Sequence, residues 1–514
     1  MQSNLLTIRL HSADNVVVAR ADLSSGAVIP DEEVTRRGSI PFDHKIATSF
    51  IRAGYPVKKY GQIIGFASQD IPPGEHVHTH NLSVKEFTRD YAMDEKAISD
   101  AATTTETEFF NGIIRPDGRI ATRNYIGIVS TVNCSASVSR YIADSISTDE
   151  LAEFSNIDGI VPLCHGMGCG MAGNGEGFEY LCDILRGYAK HPNFAGVLVI
   201  GLGCEVLQVE SLVQAGDMSE NPFFQIIAIQ DAGGTRAAIE NGIDKIRKML
   251  SETDRVERQP VPASRLVLGL QCGGSDAYSG ITANPALGVA VDLLVHQGGT
   301  AVLGETPEIY GAEHLLTRRA EKLEIAEELI ERIRWWQRYT AKNGGKMDNN
   351  PSPGNKAGGL TTILEKSLGA AAKGGTTNLT AVYKYAKPVT SKGLVFMDTP
   401  GYDPVSLTGI VAGGANLVCF TTGRGSVYGC RPVPVIKLSS NTAMYDRMKE
   451  DMGINCGLLI DGEVTMEEIG RRIFRFIMET ASGEKTKSEA YGIGDHDFVP
   501  WQIGAVMLYP TYSN

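Results

Sequence analysis

From about residue 109 the chain repeats one unit: a short β-type apolar run, a glycine-rich break, then a stretch with helical period. The runs at 125–132, 159–163, 196–201 and 224–229 behave this way, and a second series at 265–270, 300–303, 393–397 and 416–420 follows a polar break at 251–263. Strands that alternate with helices are joined by crossovers, and crossovers leave neighbouring strands parallel. The first 95 residues differ: short alternating runs at 5–10, 15–21 and 62–67 are broken by Gly and Pro, with almost no helical period. That pattern predicts a small all-β domain. The Thr/Ala/Glu-rich stretch 96–108 has no apolar face to bury and reads as a linker. Because 514 residues exceed what one hydrophobic core supports, the expected fold is a multidomain α/β chain. An all-β domain spans 1–95, a central α/β domain 109–255 and a C-terminal α/β domain 260–514, both with mainly parallel sheets. The charged helical segment 321–338 is expected to be structural.

A formal net charge of −12, with no window dense in Lys and Arg, argues against nucleic acid or an anionic membrane as partner. Residues 1–9 lack the basic start and apolar run of a signal peptide, and the most apolar later run, 194–202, is far too short to span a bilayer. Nine cysteines, an odd number without a compact framework, read as reduced thiols of a cytoplasmic protein. Neither Gly203 nor Gly425 sits in a full G-x-G-x-x-G and no P-loop occurs, so a nucleotide cofactor is not expected. The composition admits a homo-oligomer.

Three of the ten histidines, His76, His78 and His80, recur every second residue between the turn signal Pro72-Pro73-Gly74 and Asn81. In a β-strand this spacing puts the rings on one face, with neighbouring Cα atoms about 6.5–7 Å apart. Two such imidazoles can close on one divalent ion, whereas the outer pair, about twice as far apart, cannot easily share it. His76 and His78 are therefore the expected metal ligands, with His80 behind them or facing substrate. A solvated polar strand face is the alternative.

In open α/β sheets ligands collect past the carboxyl ends of strands, and four thiols fall there. They are Cys134 after Val132-Asn133, Cys169 in Cys164-His165-Gly166-Met167-Gly168-Cys169, Cys204 in Gly201-Leu202-Gly203-Cys204-Glu205, and Cys272 in Gln271-Cys272-Gly273-Gly274-Ser275-Asp276. Thiolates so placed could ligate iron or an iron–sulfur cluster; ordinary core packing is the alternative for each. Two more loops offer cations. Asn355-Lys356-Ala357-Gly358-Gly359 opens into the helical run 360–373, where free N–H groups beside Lys356 would cradle a carboxylate. Thr422-Gly423-Arg424-Gly425 places Arg424 to hold a carboxylate with its planar fork. A simple capped loop is the alternative for the former.

Several stretches carry a family resemblance. The β-rich start, with Asp14-Asn15-Val16, His44-Lys45 and Gly74-Glu75-His76-Val77-His78-Thr79-His80-Asn81, resembles the SAF-type β-clip domain. Gly201-Leu202-Gly203-Cys204-Glu205, Cys272-Gly273-Gly274-Ser275-Asp276, Gly280-Ile281-Thr282-Ala283-Asn284-Pro285, Pro351-Ser352-Pro353-Gly354-Asn355-Lys356 and Thr422-Gly423-Arg424-Gly425 resemble the signatures of the altronate/galactarate dehydratase family, in order and over essentially the whole chain. The histidine run is similar to the altronate branch. The resemblance implies an iron- or manganese-assisted hydro-lyase that converts a hexonate, D-altronate foremost, to a 2-keto-3-deoxy acid (2-dehydro-3-deoxy-D-gluconate) and water. Galactarate or another aldarate is the alternative substrate. It also implies that Cys134, Cys169, Cys204, Cys272 and His165 fall on motif positions, and that Ser275, Asp276, Asn355, Lys356, Gly423 and Arg424 line the substrate.

Losing water from a sugar acid requires removing the proton beside the carboxylate, which a divalent ion acidifies as a Lewis acid. The base should titrate near neutrality. His165 is the first expectation, Lys45 or Lys356 the second, and His44 the acid that meets the departing hydroxyl. A sulfolactate-type lyase would share the enolisation and expel sulfite, and a sugar-acid or metal sensor is the non-catalytic rival.

Overall fold

The computed structural model describes residues 6–26, 28–85, 87, 91 and 106–503, so the expected linker lies outside the described residues from 96 to 105. In the first region Thr7–Ile8, Val16–Ala19, Lys45–Ala47 and His76–Val77 pair antiparallel in one sheet, and Pro56–Lys59, Gln62–Ala67 and Leu82–Ser83 in another. The alternation of the sequence has a direct counterpart here. Val16 packs with Ala47, Val57 and Ile64, whereas its neighbour Val17 packs with Leu23, Ile29 and Ile46 on the other side. The turn before the histidines needs glycine: Gly74 has φ +82°, and a Cβ there would lie 2.1 Å from the Thr35 carbonyl oxygen. Ala312, Leu368 and Ala371 complete the Val16 core, so this SAF-type region is packed directly against the C-terminal region.

Two parallel sheets follow, as the alternating pattern requires. One has four strands in the order Gly159–Leu163, Tyr125–Ser130, Phe194–Gly201, Phe224–Ala228. The other has seven, in the order Leu379–Tyr383, Gly393–Met397, Thr300–Leu303, Val267–Cys272, Leu417–Thr422, Val435–Ser439, Ile454–Asn455. Successive residues of the seven-stranded sheet go to opposite cores: Leu268, Leu270, Leu394, Phe396, Leu417 and Cys419 to one, Val302, Val395, Val418 and Phe420 to the other. That second core also takes Val129, Val161 and Leu163 of the four-stranded sheet. A continuous apolar run is what a strand buried on both faces needs.

The stretch 251–263, expected as a polar break, contains the strand Arg258–Pro262. It pairs antiparallel with Phe109–Ile114, which also pairs with Ile120–Ala121. Only Val261 is buried in it, so one apolar side chain and a backbone ladder hold a segment whose composition looked like a loop. The segment 321–338 lies inside the helix Leu323–Lys342, which buries Ala326, Leu329, Ile330, Ile333 and Trp336 and exposes its charges. No helix among the described residues is long and apolar enough to cross a membrane.

Candidate active site

Because the seven strands are parallel, their carboxyl ends open on one edge, and the loops there bring together Cys272, Glu305, Asp276, Gly423, Arg424 and Ser440. The deepest layer is a buried charge cluster. Lys366 Nζ donates to Glu308 at 2.6 Å and to Asn350 Oδ1 at 3.1 Å, and Lys373 Nζ donates to Glu305 at 3.3 Å. Cys272 Sγ lies 3.5 Å from both Glu305 and Glu308. Burial drives the Cys272 thiol well above its ordinary pKa. Burial, reinforced by Glu308, pushes the Glu305 carboxyl up to about 8. Among the described residues, Cys272, Glu305 and Glu308 form the one group of three such donors whose ligand atoms all lie within 4.8 Å of one another. Glu305 Oε1 is buried without a hydrogen-bond partner. An unsatisfied buried carboxylate oxygen beside a thiol fits a divalent ion, which would compete with the two lysines for the same carboxylates.

Above it, the Asp276 carboxylate accepts from Ser279 N–H and Oγ, Ser440 Oγ and Asn441 Nδ2 at 2.7–2.9 Å. Gly423 is required beside it, since a Cβ there would lie 2.1 Å from the Asp276 carboxyl carbon. The N–H groups of Gly423 and Arg424 both donate to Gly274 O, at 3.0 and 2.7 Å. Asn355 donates to Ser275 O at 2.8 Å and closes a capping box with Ser352, which starts the short helix Pro353–Ala357. Thus Ser275, Asp276, Asn355, Lys356, Gly423 and Arg424 are brought together. Among the described residues neither the Lys356 ammonium nor the exposed Arg424 guanidinium has a hydrogen-bond or ion-pair partner.

The SAF-type region covers this edge with imidazoles. The strand expected over the histidines ends after Val77. Asn81 Oδ1 accepts the His78 N–H at 2.9 Å and Asn81 Nδ2 donates to His76 O at 2.8 Å, folding 78–81 into a turn. The rings stay gathered all the same, His76 to His78 at 5.4 Å and His76 to His80 at 5.5 Å. His44 joins them from the loop before Lys45–Ala47, its Nδ1 2.9 Å from His76 Nε2. His78 Nε2 donates to Lys356 O at 2.9 Å, and Nε2 of His44 faces Ala357 O at 3.5 Å. Burial lowers His44 to about 4 and His76 to about 3, with the neighbouring imidazoles adding to it, so these two are neutral at physiological pH; burial lowers His78 as well. The His44 Nδ1 and His76 Nε2 nitrogens lie within hydrogen-bond distance of each other.

Lys45 is fully buried, and its ammonium donates to Gly359 O at 2.6 Å and to both Glu365 oxygens at 3.1 and 2.9 Å. Burial lowers its pKa to about 8 against the pull of Glu365, and its three acceptors tie the β region to the helix Ile363–Ala371. His165 is likewise committed: Nε2 donates to Ser130 O at 2.9 Å, Nδ1 accepts the Met167 N–H at 3.1 Å, and burial lowers it to about 4. Both partners lie at the four-stranded sheet, away from Arg424 and Lys356. Cys272 is buried in the seven-stranded sheet, whereas Cys134, Cys169 and Cys204 are exposed at the four-stranded one, so the four thiols split into one and three.

Sequence reasoning passed over Asp43, Glu305, Glu308, Lys366 and Lys373. Asp43 adjoins His44 with φ +74°. Burial and then Asp276 hold its carboxyl well above the usual range, against Lys59, Arg424 and Lys45, and its Oδ1 has no partner. Glu305 and Glu308 follow the strand Thr300–Leu303, so the strand-end rule applied to every strand would have found them.

Residues 5–85 match the family model described as the altronate/galactarate dehydratase SAF domain, 112–254 the D-galactarate dehydratase/altronate hydrolase second domain, and 263–506 the D-galactarate/altronate dehydratase C-terminal domain. Altronate dehydratase of Bacillus subtilis (strain 168) is 34% identical over 94% of this chain and 96% of its own length. Galactarate dehydratase (L-threo-forming) of Escherichia coli (strain K12) is 38% identical over 95% of each. Altronate dehydratase of the same strain is 35% identical over 94% and 96%.

Proposed function

The chain belongs to the D-galactarate/altronate dehydratase family, and with it to the sugar-acid dehydratases; we propose that it converts D-altronate to 2-dehydro-3-deoxy-D-gluconate and water. The observation that carries this reading is the pair of unpartnered cations, Lys356 and Arg424, on two glycine loops that pack on one another beneath neutral imidazoles. A Cβ on Gly358 would lie 3.1 Å from Arg424 Cδ and 3.0 Å from Asp276 Cβ. The substrate carboxylate binds the two cations, and the neutral sugar hydroxyls meet Asp276 and the histidines.

Proton transfer is assigned to the cover. With a proton on His44 Nε2 toward Ala357 O, His44 Nδ1 accepts the His76 Nε2–H, and Nδ1 of His76 is the free acceptor of the pair. An anion bound by Arg424 raises the affinity of that nitrogen for a proton. Asp43, kept protonated by burial, supplies the proton for the departing hydroxyl. His165, with both nitrogens engaged elsewhere, holds a loop in this reading, and Lys45 holds His44 in place. A divalent ion held by Cys272, Glu305 and Glu308 would supply Lewis-acid stabilisation of the charge that develops on the carboxylate; iron or manganese suits a site of mixed thiolate and carboxylate. Altronate stands before galactarate because of the histidine run. The test is incubation of the purified protein under anaerobic, reducing conditions with altronate, galactarate, other hexonates and sulfolactate, scored for 2-keto acid. Product from altronate alone supports the reading; product from galactarate alone moves the substrate to the aldarates, and sulfite release to the sulfo-lyases.

A further inference from the structure

Of the nine cysteines, Cys134, Cys169 and Cys204 alone are exposed, and they leave the carboxyl ends of three adjacent parallel strands, Tyr125–Ser130, Gly159–Leu163 and Phe194–Gly201. Their loops meet at Gly168, the residue before Cys169. A Cβ on Gly168 would lie 2.2 Å from Thr131 O and 2.8 Å from Val132 Cα, two residues before Cys134. Gly168 O accepts the N–H of Val206 at 3.0 Å, two residues after Cys204, and Asn133 N–H donates to Met167 O at 3.0 Å. Every thiol therefore hangs within two residues, about 8 Å of chain, of one contact point. The loops are held by groups that the dehydratase reading leaves without a catalytic task. His165 bridges Ser130 O and Met167 N–H. Glu205 accepts from Thr131 Oγ1 at 2.7 Å and from the N–H groups of Leu202 and Gly203 at 3.1 and 2.7 Å. Gln230 Nε2 lies 3.5 Å from Cys204 Sγ, and Cys169 lines a cavity of about 740 Å³ together with Glu176, Trp335, Arg338, Tyr339 and Lys342.

We propose that Cys134, Cys169 and Cys204 hold an iron–sulfur cluster of the four-iron class through three thiolates, at a site separate from the cations and imidazoles of the seven-stranded sheet. Three exposed thiols, two of them beside glycine, on loops fixed by buried side chains are what a soft, multi-iron ligand requires, and core packing does not explain them, since none is in a core. Three thiolates leave one iron without a cysteine, and the cavity beside Cys169 gives that iron room for a small ligand. Gln230 Nε2–H supplies the hydrogen bond to sulfur that tunes such centres.

The full-length protein is reconstituted without oxygen with iron, sulfide and a thiol reductant, then desalted and assayed for colour, iron and acid-labile sulfide. The expected result is a brown protein with sulfide in proportion to iron. Serine at 134, 169 or 204 bleaches it while elution volume and circular dichroism stay native, and Cys272→Ser keeps the colour. Gln230→Leu keeps the cluster and makes its reduction potential more negative. Iron without sulfide, zinc alone, a disulfide among the three, or natively eluting serine variants that keep the colour would each overturn the proposal. None of these readouts depends on turnover, so failure of the substrate reading would leave them interpretable.

Discussion

Replacing Arg424 should damage catalysis without damaging the fold, because the structure separates the two roles of this residue. Its backbone N–H is bonded to Gly274 O at 2.7 Å, an interaction any residue keeps, while its exposed side chain has no partner among the described residues. What is lost is a contact to substrate. A hydrogen bond to a charged group is worth about 1.5–3 kcal/mol, which converts to about a 12-fold to 140-fold fall in kcat/KM at 1.4 kcal/mol per factor of ten. Arg424→Lys keeps the charge and loses the fork, so it belongs near the low end; Arg424→Ala loses both and belongs near the high end. A pH profile adds a sign. Arg424 is among the groups that pull Asp43 down against burial and Asp276, so removing it raises Asp43 further. If Asp43 must be protonated, the alkaline limb of kcat/KM then moves to higher pH. Steady-state kinetics across pH on the wild type and both variants read all of this. Arg424→Ala with wild-type kcat/KM and an unmoved alkaline limb would refute both the anchor and the coupling to Asp43.

Glu365→Gln leaves Lys45 and Lys59 buried without their shared carboxylate, which accepts from them at 2.9 Å each; breaking such a pair costs about 3–5 kcal/mol. Burial raises the Glu365 pKa, but Lys45, Lys59 and Thr361 outweigh it and hold it below the usual range. Its stabilisation is therefore present above the unfolded carboxylate pKa and lost on acidification. A lower urea midpoint at pH 7, with the gap to wild type closing in acid, is expected, and equal midpoints at pH 7 would contradict it. Gly423→Ala forces a methyl group against the Asp276 carboxylate, within 2.4 Å of its three terminal atoms; displacement on that scale is expected to cost on the order of 100-fold in kcat, and unchanged turnover would show that Asp276 does not touch the reaction. Cys272→Ser should weaken divalent-metal binding by more than about tenfold, whereas the equally buried Cys419→Ser should not. Wild-type affinity should rise with pH as the elevated thiol ionises; calorimetry with Mn²⁺ that finds no difference between the two variants removes Cys272 from the donor set.

The sequence by itself determined the elements and the places where ligands gather. Periods of two and of 3.6 are local properties of backbone geometry, so the parallel sheets, the small β region and the glycine loops holding Ser275, Asp276, Asn355, Lys356 and Arg424 were legible without coordinates. The histidine row was legible as a cluster but not as a strand, because the Asn81 side chain ends the ladder after Val77. Only the tertiary structure decided which groups face one another. His165 and His44 look alike in sequence, yet one is locked between Ser130 and Met167 while the other stands over Ala357 and beside His76. Cys272 parted from the other three thiols because it belongs to a different sheet. Asp43 and Glu305 acquired their raised carboxyl pKa values only through burial and like-charged neighbours, Asp276 for the one and Glu308 for the other. Desolvation and charge pairing depend on what surrounds an atom in space, and Asp43 and Asp276, 233 positions apart in sequence, become neighbours only once the domains have packed.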